Sequence, residues 1–565
     1  MQVKDRMNRW IGTVFDDPKY VLLVILGAFV LYYIVYPLFQ VMIRSVIVDG
    51  AFSFDHYIEV FQRPRNFAAV RNSLTVAGAS TFFATVLGTL AAFIVVRTDI
   101  PFKAVVKFLF LLPFAIPPLF AAMGWVQLLG PVGYVTRAVQ NLLPIENVPW
   151  NMYSPAGIVF VLTVTMYPFV FLIVTGSLRR MDSSLEEVAR ISGSSNLQIM
   201  RHITLPLVKS AILAGAVLAF IASIDNFGVP AVLGMRIRYY VLTTRIYEAL
   251  SIPNMPLATA MSILLVLLAV VAIYIIRRLE GGGKQYAIIG GKSIRPRVMK
   301  LGAAKPFVVA FIGVLLVFFV LLPIFSLFLT SFINYFGAPV TLENLSLNNY
   351  DRVFSMRNTS RGIRNSLILA PLAATILIVV ASMISYLNIK AKIWGASKLD
   401  TIGMVPYALP GSVIGVAALL AWTRPPIGPS LYGTLWILLA AYLMRYMAFG
   451  LRSTRATLQQ IDDSLEESAL TLGASRARTI KDITLPLLKP GIISGWILIF
   501  MPALRELTVS VLIWSSGAET IGVLTFLLQD SGYPQRAAAM ASLVLPIILI
   551  LYTVTEYMGT RGEKV

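Results

Sequence analysis

The sequence predicts an all-α polytopic membrane protein made of two tandem six-helix halves, with twelve transmembrane helices. Three observations predict it: an apolar composition, twelve apolar runs of bilayer length, and short motifs shared between the first six runs and the last six. Of 565 residues, 57% are hydrophobic and 13% charged. A water-soluble chain of this length needs more charge to cover its surface, so lipid is the expected solvent. A helix crosses the hydrocarbon with about 20 apolar residues. Runs of that kind lie near 20–48, 71–96, 104–130, 156–178, 208–232 and 256–276, then near 306–332, 365–388, 399–422, 430–451, 488–512 and 535–557.

The net charge of +20 is distributed in short clusters between these runs. They are Lys4, Arg6 and Arg9; Arg97, Lys103 and Lys107; Arg179 to Lys209; Arg277 to Lys305; Lys390, Lys392 and Lys398; and Arg452 to Lys489. With both termini in the cytoplasm, all of these fall on one side, as the positive-inside rule requires. A continuous basic face of the kind that binds nucleic acid is not formed. Cysteine is absent, which excludes disulfides and thiolate metal sites. Residues 1–19 read as an interfacial helix, because Met7, Trp10, Ile11, Val14 and Phe15 share one face near Lys4, Arg6 and Arg9. The first run is too long for a signal-peptide core and has no small-residue cleavage site.

The two halves, 20–278 and 306–565, repeat in sequence. His56-Tyr57-Ile58-Glu59-Val60-Phe61 returns as Asn349-Tyr350-Asp351-Arg352-Val353-Phe354. Arg71-Asn72-Ser73-Leu74 returns as Arg364-Asn365-Ser366-Leu367, and Pro113-Phe114-Ala115-Ile116-Pro117 as Pro406-Tyr407-Ala408-Leu409-Pro410. Six spans separate equivalent positions, so both halves face the same way and a pathway would run between them along the membrane normal. Residues 279–305, with Gly281-Gly282-Gly283 and many basic residues, read as a cytoplasmic linker.

The most specific signal lies in the loops at 179–209 and 452–489. The first holds Ser184-Leu185-Glu186-Glu187-Val188-Ala189, Gly193 and then Ile203-Thr204-Leu205-Pro206. The second holds Ser464-Leu465-Glu466-Glu467-Ser468-Ala469, Gly473 and then Ile483-Thr484-Leu485-Pro486. Both read E-x-A-x3-G-x9-I-x-L-P. Ser184 with Glu187 and Ser464 with Glu467 make capping boxes that start a helix, and Gly193 and Gly473 suit a left-handed residue that ends it. A second short helix is expected to stop near Pro206 and Pro486. A small amphipathic helix on a membrane protein's cytoplasmic face suits a groove on a soluble partner.

This duplicated motif resembles the EAA loop of binding-protein-dependent ABC importer permeases, and the whole chain fits the resemblance. Val188 and Ser468 stand where the family has alanine. The resemblance implies the type I importer fold, with the segments Glu187–Gly193 and Glu467–Gly473 as coupling helices seated in two ATP-binding cassette subunits, and with Glu186, Glu187, Ala189, Gly193, Leu205 and Pro206, and Glu466, Glu467, Ala469, Gly473, Leu485 and Pro486, as the residues that contact those partners. Those partners would bind the ATP and Mg, and this chain no cofactor. It also implies an extracytoplasmic solute-binding protein as partner and the bacterial inner membrane as location. The fused layout, Ser223-Ile224-Asp225-Asn226-Phe227-Gly228-Val229-Pro230 and Arg505-Glu506-Leu507-Thr508 are most similar to the ferric-iron branch. Other branches carry polyamines, thiamine, phosphonates or sugar phosphates.

No catalytic constellation accompanies these features. Gly291-Lys292-Ser293 completes only the end of a phosphate-binding loop, Tyr286 replaces its first glycine, and no strand precedes it. An integral-membrane enzyme or a secondary transporter is the alternative from another class; neither accounts for two such loops. Ionisable groups within spans are few: Arg445, Arg505, Glu506 and Asp225. The offset of the loop motifs makes Asp225 equivalent to Arg505 and Asn226 to Glu506. With Phe227, these are the candidates for lining or gating a path, or for fixing the packing of the bundle.

Overall fold

The computed structural model describes residues 17–48, 50–143, 145–181, 184–279 and 298–562. Most of the expected interfacial helix and of the expected linker, including Gly291-Lys292-Ser293, lies outside the described residues. Among the described residues, eleven helices are long and apolar enough to cross a membrane, or twelve if one sharply bent pair forms a single span.

In the first half the elements used below are α1 (Pro18–Val46), α2 (Pro64–Arg97), α3 (Lys103–Ala115), α4 (Pro118–Leu129), α5 (Pro155–Arg180), α6 (Ser184–Ile191), α7 (Met200–Ile224), α8 (Gly228–Leu233), α9 (Leu242–Ser251) and α10 (Met255–Leu279). The second half supplies α11 (Gly302–Phe332), α12 (Arg357–Ile389), α13 (Ala396–Ala408), α14 (Gly411–Trp422), α15 (Leu435–Leu458), α16 (Asp463–Thr471), α17 (Arg476–Leu504), α18 (Ser510–Ile513), α19 (Ile521–Asp530) and α20 (Pro534–Gly562).

Three expectations about the spans need correction. The run 104–130 is two helices broken at Ile116 and Pro117, and 399–422 is bent by 114° between α13 and α14. Pro117 and Pro410 lack the N–H that would continue the ladder, and each becomes the N-cap of the next helix. The runs 208–232 and 488–512 likewise end as helices at Ile224 and Leu504, and a short helix follows each break. Finally, the loops' second short helix does not stop at Pro206 or Pro486. It continues into α7 or α17 through a π-helical turn at Met200–Thr204 or Ile480–Thr484. The same device precedes Pro37 and Pro323, at Leu31–Val35 and Val317–Leu321. A wider turn just before proline makes room for a ring that would clash with the carbonyl four residues back.

The described residues gather into two compact units that cut across the two sequence halves. The first unit combines those of Tyr57–Met356 with Thr525–Ile550; the second combines those of Met1–His56, Arg357–Leu524 and Leu551–Val565. In the first unit α2, α5 and α7 pack on one another, and α11, from the second half, packs on α4. The contact with α11 is close because Gly124 has no side chain: a Cβ there would lie 2.6 Å from the Pro323 carbonyl oxygen. Ser326 Oγ donates to the Gly124 carbonyl at 3.0 Å, and Tyr134 and Thr330 hydroxyls meet at 2.8 Å. In the second unit α12, α15 and α17 form the matching core, and α1, from the first half, packs on it. Tyr33 lies 6.0 Å from the Trp422 ring and the Tyr32 hydroxyl donates to the Ile427 carbonyl at 3.0 Å. Each unit thus holds the first span of the other sequence half.

Candidate functional site

The first loop is built around a buried carboxylate. Glu186, in the first turn of α6, accepts from the Thr204 hydroxyl at 2.7 Å through Oε1. Its Oε2 pairs with Arg97 Nη1 at 3.0 Å, and the two side chains are 10% and 4% exposed. Arg97 Nη2 also reaches Met181 Sδ at 3.5 Å. Two charges withdrawn from water need this mutual satisfaction, so the pair fastens α6 to the end of α2. Glu187, one residue on, is exposed, as are Val188 and Ile191. Gly193 takes φ +87. The Ser194 amide returns to the Ala189 carbonyl at 3.0 Å and the Gly193 amide to that of Arg190 at 2.9 Å, which ends the helix with a Schellman turn. Leu205 is half-buried and Pro206 exposed where the chain enters α7.

The second loop repeats the fastening with different partners. Glu466 Oε1 accepts from the Thr484 hydroxyl at 2.5 Å. The cation equivalent to Arg97 by the offset of the Arg-Asn-Ser repeat is Lys390. It goes to Asp463 Oδ1 at 2.7 Å, while Lys392 reaches Asp463 Oδ2 at 3.0 Å. These two lysines hold the Asp463 carboxyl below the usual carboxylate range. Glu467 is exposed, Ala469 half-buried, and Leu485 and Pro486 exposed. Gly473 takes φ +84, and the Ala474 amide returns to the Ala469 carbonyl at 3.0 Å. The expected capping box at Ser464 is corrected: α16 starts earlier, with Asp462 as N-cap accepting from the Ser464 amide at 2.9 Å. Asp462 has the extended backbone that an N-cap needs, and its carboxylate supplies the acceptor. Leu465, Leu470 and Leu472 are exposed around this helix.

Glu186 and Glu466 therefore face inward, and Glu187 and Glu467 outward. Sequence reasoning grouped all four as contacts to a partner. The signal for separating them was present, since each inward glutamate is followed eighteen residues later by a threonine in both copies.

The polar residues at the span ends do local work first. Asn226 Oδ1 accepts from the Val229 amide at 3.0 Å, and Glu506 Oε1 accepts from the Val509 amide at 2.8 Å. The equivalent positions thus bond equivalent amides where the following short helices begin, satisfying otherwise orphaned N–H groups. Asp225 and Arg505 are the C-cap residues of α7 and α17. Glu506 Oε2 additionally pairs with Arg445 Nε at 3.3 Å and accepts from the Tyr446 hydroxyl. The Arg445 guanidinium fits there because Gly411 has no Cβ; one would fall 1.5 Å from Nη1. Phe227 is buried, with its ring 5.3 Å from Tyr247 and 5.2 Å from Phe526. Asp225, Asn226 and Phe227 belong to the first unit and Arg445, Arg505 and Glu506 to the second.

The repeated Arg-Asn-Ser-Leu motif clamps the segment that follows each break. Asn72 Nδ2 donates to the Tyr240 carbonyl at 2.9 Å, and Ser73 Oγ accepts from the first amide of α9 at 2.7 Å. Asn365 Nδ2 donates to the carbonyls of Gly517 and Glu519 at 3.0 and 2.9 Å, and Ser366 Oγ accepts from the first amide of α19 at 2.9 Å. Among the described residues no group of three His, Cys, Asp or Glu side chains is placed to hold a metal ion.

Each of the two units carries an E-x-A-x3-G loop held to its core by an internal glutamate. Residues 84–282 and 380–562 match the family described as binding-protein-dependent transport system inner membrane component. The chain belongs to this family. It is an ABC importer permease with two family segments in one polypeptide. It is 28% identical to the ferric transport system permease protein FbpB of Actinobacillus pleuropneumoniae, over 95% of this chain and 78% of that one. It is 29% identical to a putative ferric transport system permease of Haemophilus influenzae, over 87% and 77%. A solved bacterial ABC transporter for import of the polysaccharide alginate is 19% identical, covers 49% of this permease and 99% of its own chain, and superposes with a TM-score of 0.40.

Proposed function

We propose that this permease imports ferric iron, and that two ATP-binding subunits dock on its loops at 179–209 and 452–489. The observation that supports the solute is similarity along nearly the whole chain to fused permeases named for ferric transport. The docking reading is supported by the way each loop is built. Its inward glutamate is spent on holding the helix, which leaves Glu187 or Glu467 and several apolar side chains exposed for a partner. The loops and both termini lie in the cytoplasm of a bacterial cell, and a solute-binding protein delivers iron to the opposite face. The ATP and Mg2+ belong to the partner subunits. Asp225, Asn226, Phe227, Arg445, Arg505 and Glu506 line or gate the path, since polar groups this deep in a bundle are costly unless used or paired.

The test is uptake of radiolabelled iron by vesicles holding the permease, its ATPase and its receptor. Glu187→Lys with Glu467→Lys abolishes uptake and ATPase capture while the permease stays folded. Retained capture overturns the docking reading. Uptake of putrescine or 2-aminoethylphosphonate in place of iron overturns the solute.

A further inference from the structure

The end of the inter-half segment is not a free tether. Val298 to Leu301 lies beside residues 97–99, at the loop end of α2: the Met299 amide donates to the Arg97 carbonyl at 2.7 Å, and the Asp99 amide to the Met299 carbonyl at 3.1 Å. Thr98 and Met299 form a parallel bridge. Asp99 then closes the junction, with Oδ1 accepting from the Leu301 amide at 2.8 Å and Oδ2 pairing with Lys305 Nζ at 3.1 Å. All of these residues belong to the first unit. Arg97, whose backbone this segment grips, is the residue whose guanidinium holds Glu186 of α6.

We propose that Val298–Lys305 is a positioning element for the first coupling loop, acting through Arg97 on Glu186. The proposal rests on the docking reading of the loops for its functional meaning. The physical argument is that a guanidinium at the last residue of a helix is only as well placed as the backbone that carries it. The Arg97 carbonyl is among the last of α2, beyond the reach of the helix's own amides, and the Met299 amide satisfies it. Asp99 fixes the register of that contact by binding the chain again two and six residues further on. The second loop is arranged otherwise. Lys390, at the position matching Arg97, bonds the loop directly at the Ile461 carbonyl and Asp463. The two loops are therefore held by different means, and a perturbation of the joining segment reaches the first loop selectively. Because Lys305 lies at the start of α11, which packs on α4, the same brace also links the packing of the second half's first span to the first loop.

The experiment is amide hydrogen exchange, read by mass spectrometry on the full permease in lipid nanodiscs, without ATPase subunits. Peptides covering 184–193 and 463–473 are compared in the same sample. Asp99→Ala removes two charge-assisted bonds and accelerates exchange in 184–193 by about tenfold or more, with 463–473 unchanged. Asp99→Asn, which keeps an acceptor for Leu301, gives a smaller change. In a Glu186→Ala background, Asp99→Ala adds nothing further, because the path through Arg97 is already cut. Unchanged exchange at 184–193, equal acceleration of both loops, or additive effects of the two substitutions each overturn the proposal. The readout does not use the ATPase. Loss of the docking reading, seen as ATPase capture surviving Glu187→Lys with Glu467→Lys, is therefore a separate result.

Discussion

Glu186 and Glu187 are adjacent, share a charge, and should behave oppositely on replacement. Glu186→Ala leaves the Arg97 guanidinium buried, with only the Met181 sulfur among the contacts described above still beside it. Breaking one side of a buried ion pair costs about 3–5 kcal/mol, and the Thr204 hydroxyl loses its acceptor as well. At 1.36 kcal/mol per power of ten, the population of a lifted α6 rises by roughly two to four powers of ten. Thr204→Val removes one bond to a charged acceptor, about 1.5–3 kcal/mol, or roughly one to two powers of ten. Glu187→Ala alters an exposed side chain and stays within about 0.5 kcal/mol. The chain has no cysteine, so one thiol reports cleanly. Ile199→Cys places it at a position that is 5% exposed, on the short helix after α6. Its reaction with a maleimide in nanodiscs then measures opening of the loop. The expected order of rates is Glu186→Ala, Thr204→Val, then Glu187→Ala indistinguishable from the parent. Equal rates for Glu186→Ala and Glu187→Ala would refute the division of the two glutamates into an inward and an outward role.

Two further outcomes follow from the second unit. Gly411→Ala sets a Cβ against the Arg445 guanidinium and displaces it from Glu506; uptake should fall about tenfold, the equivalent of one lost charge-assisted bond, with ATPase capture unaffected. Normal uptake would show that the Arg445–Glu506 pair only packs the bundle. The second outcome concerns pH. The carboxyl of Asp463, faced by Lys390, Lys392 and the neighbouring Asp462, has its folded value depressed. Its contribution is fully present above its unfolded value and is lost as pH falls through the folded one. Exchange protection of α16 should therefore be flat from pH 8 to 5 and decline only below about pH 4. A decline centred near pH 6 would refute this assignment.

Much of this architecture follows from local sequence. The bilayer demands apolar runs of one length, the repeat declares two like halves, and the glycine that ends the first helix of each loop is readable because its left-handed conformation is a property of one residue. The start of the second loop helix was misread because Asp462 and Ser464 are both good caps, and the pair Lys390 and Lys392, some seventy residues away, favours a start that leaves Asp463 in the first turn. The π-helical turns were also legible in principle, since each stands just before a proline.

What sequence alone determined is therefore the set of spans, the duplication, the orientation signal and the loop motif, all consequences of periodicity, length and capping within a few residues. Tertiary structure alone decided which span packs on which core, so that α1 joins the second half's helices and α11 the first half's. It also decided that Arg97 meets Glu186 across 89 residues, that Glu506 finds Arg445, and that the joining segment lies along Arg97 to Asp99. The physical reason is that a buried charge or an orphaned amide accepts any partner of suitable chemistry. Only the packing of the helices determines which of many candidates is within reach.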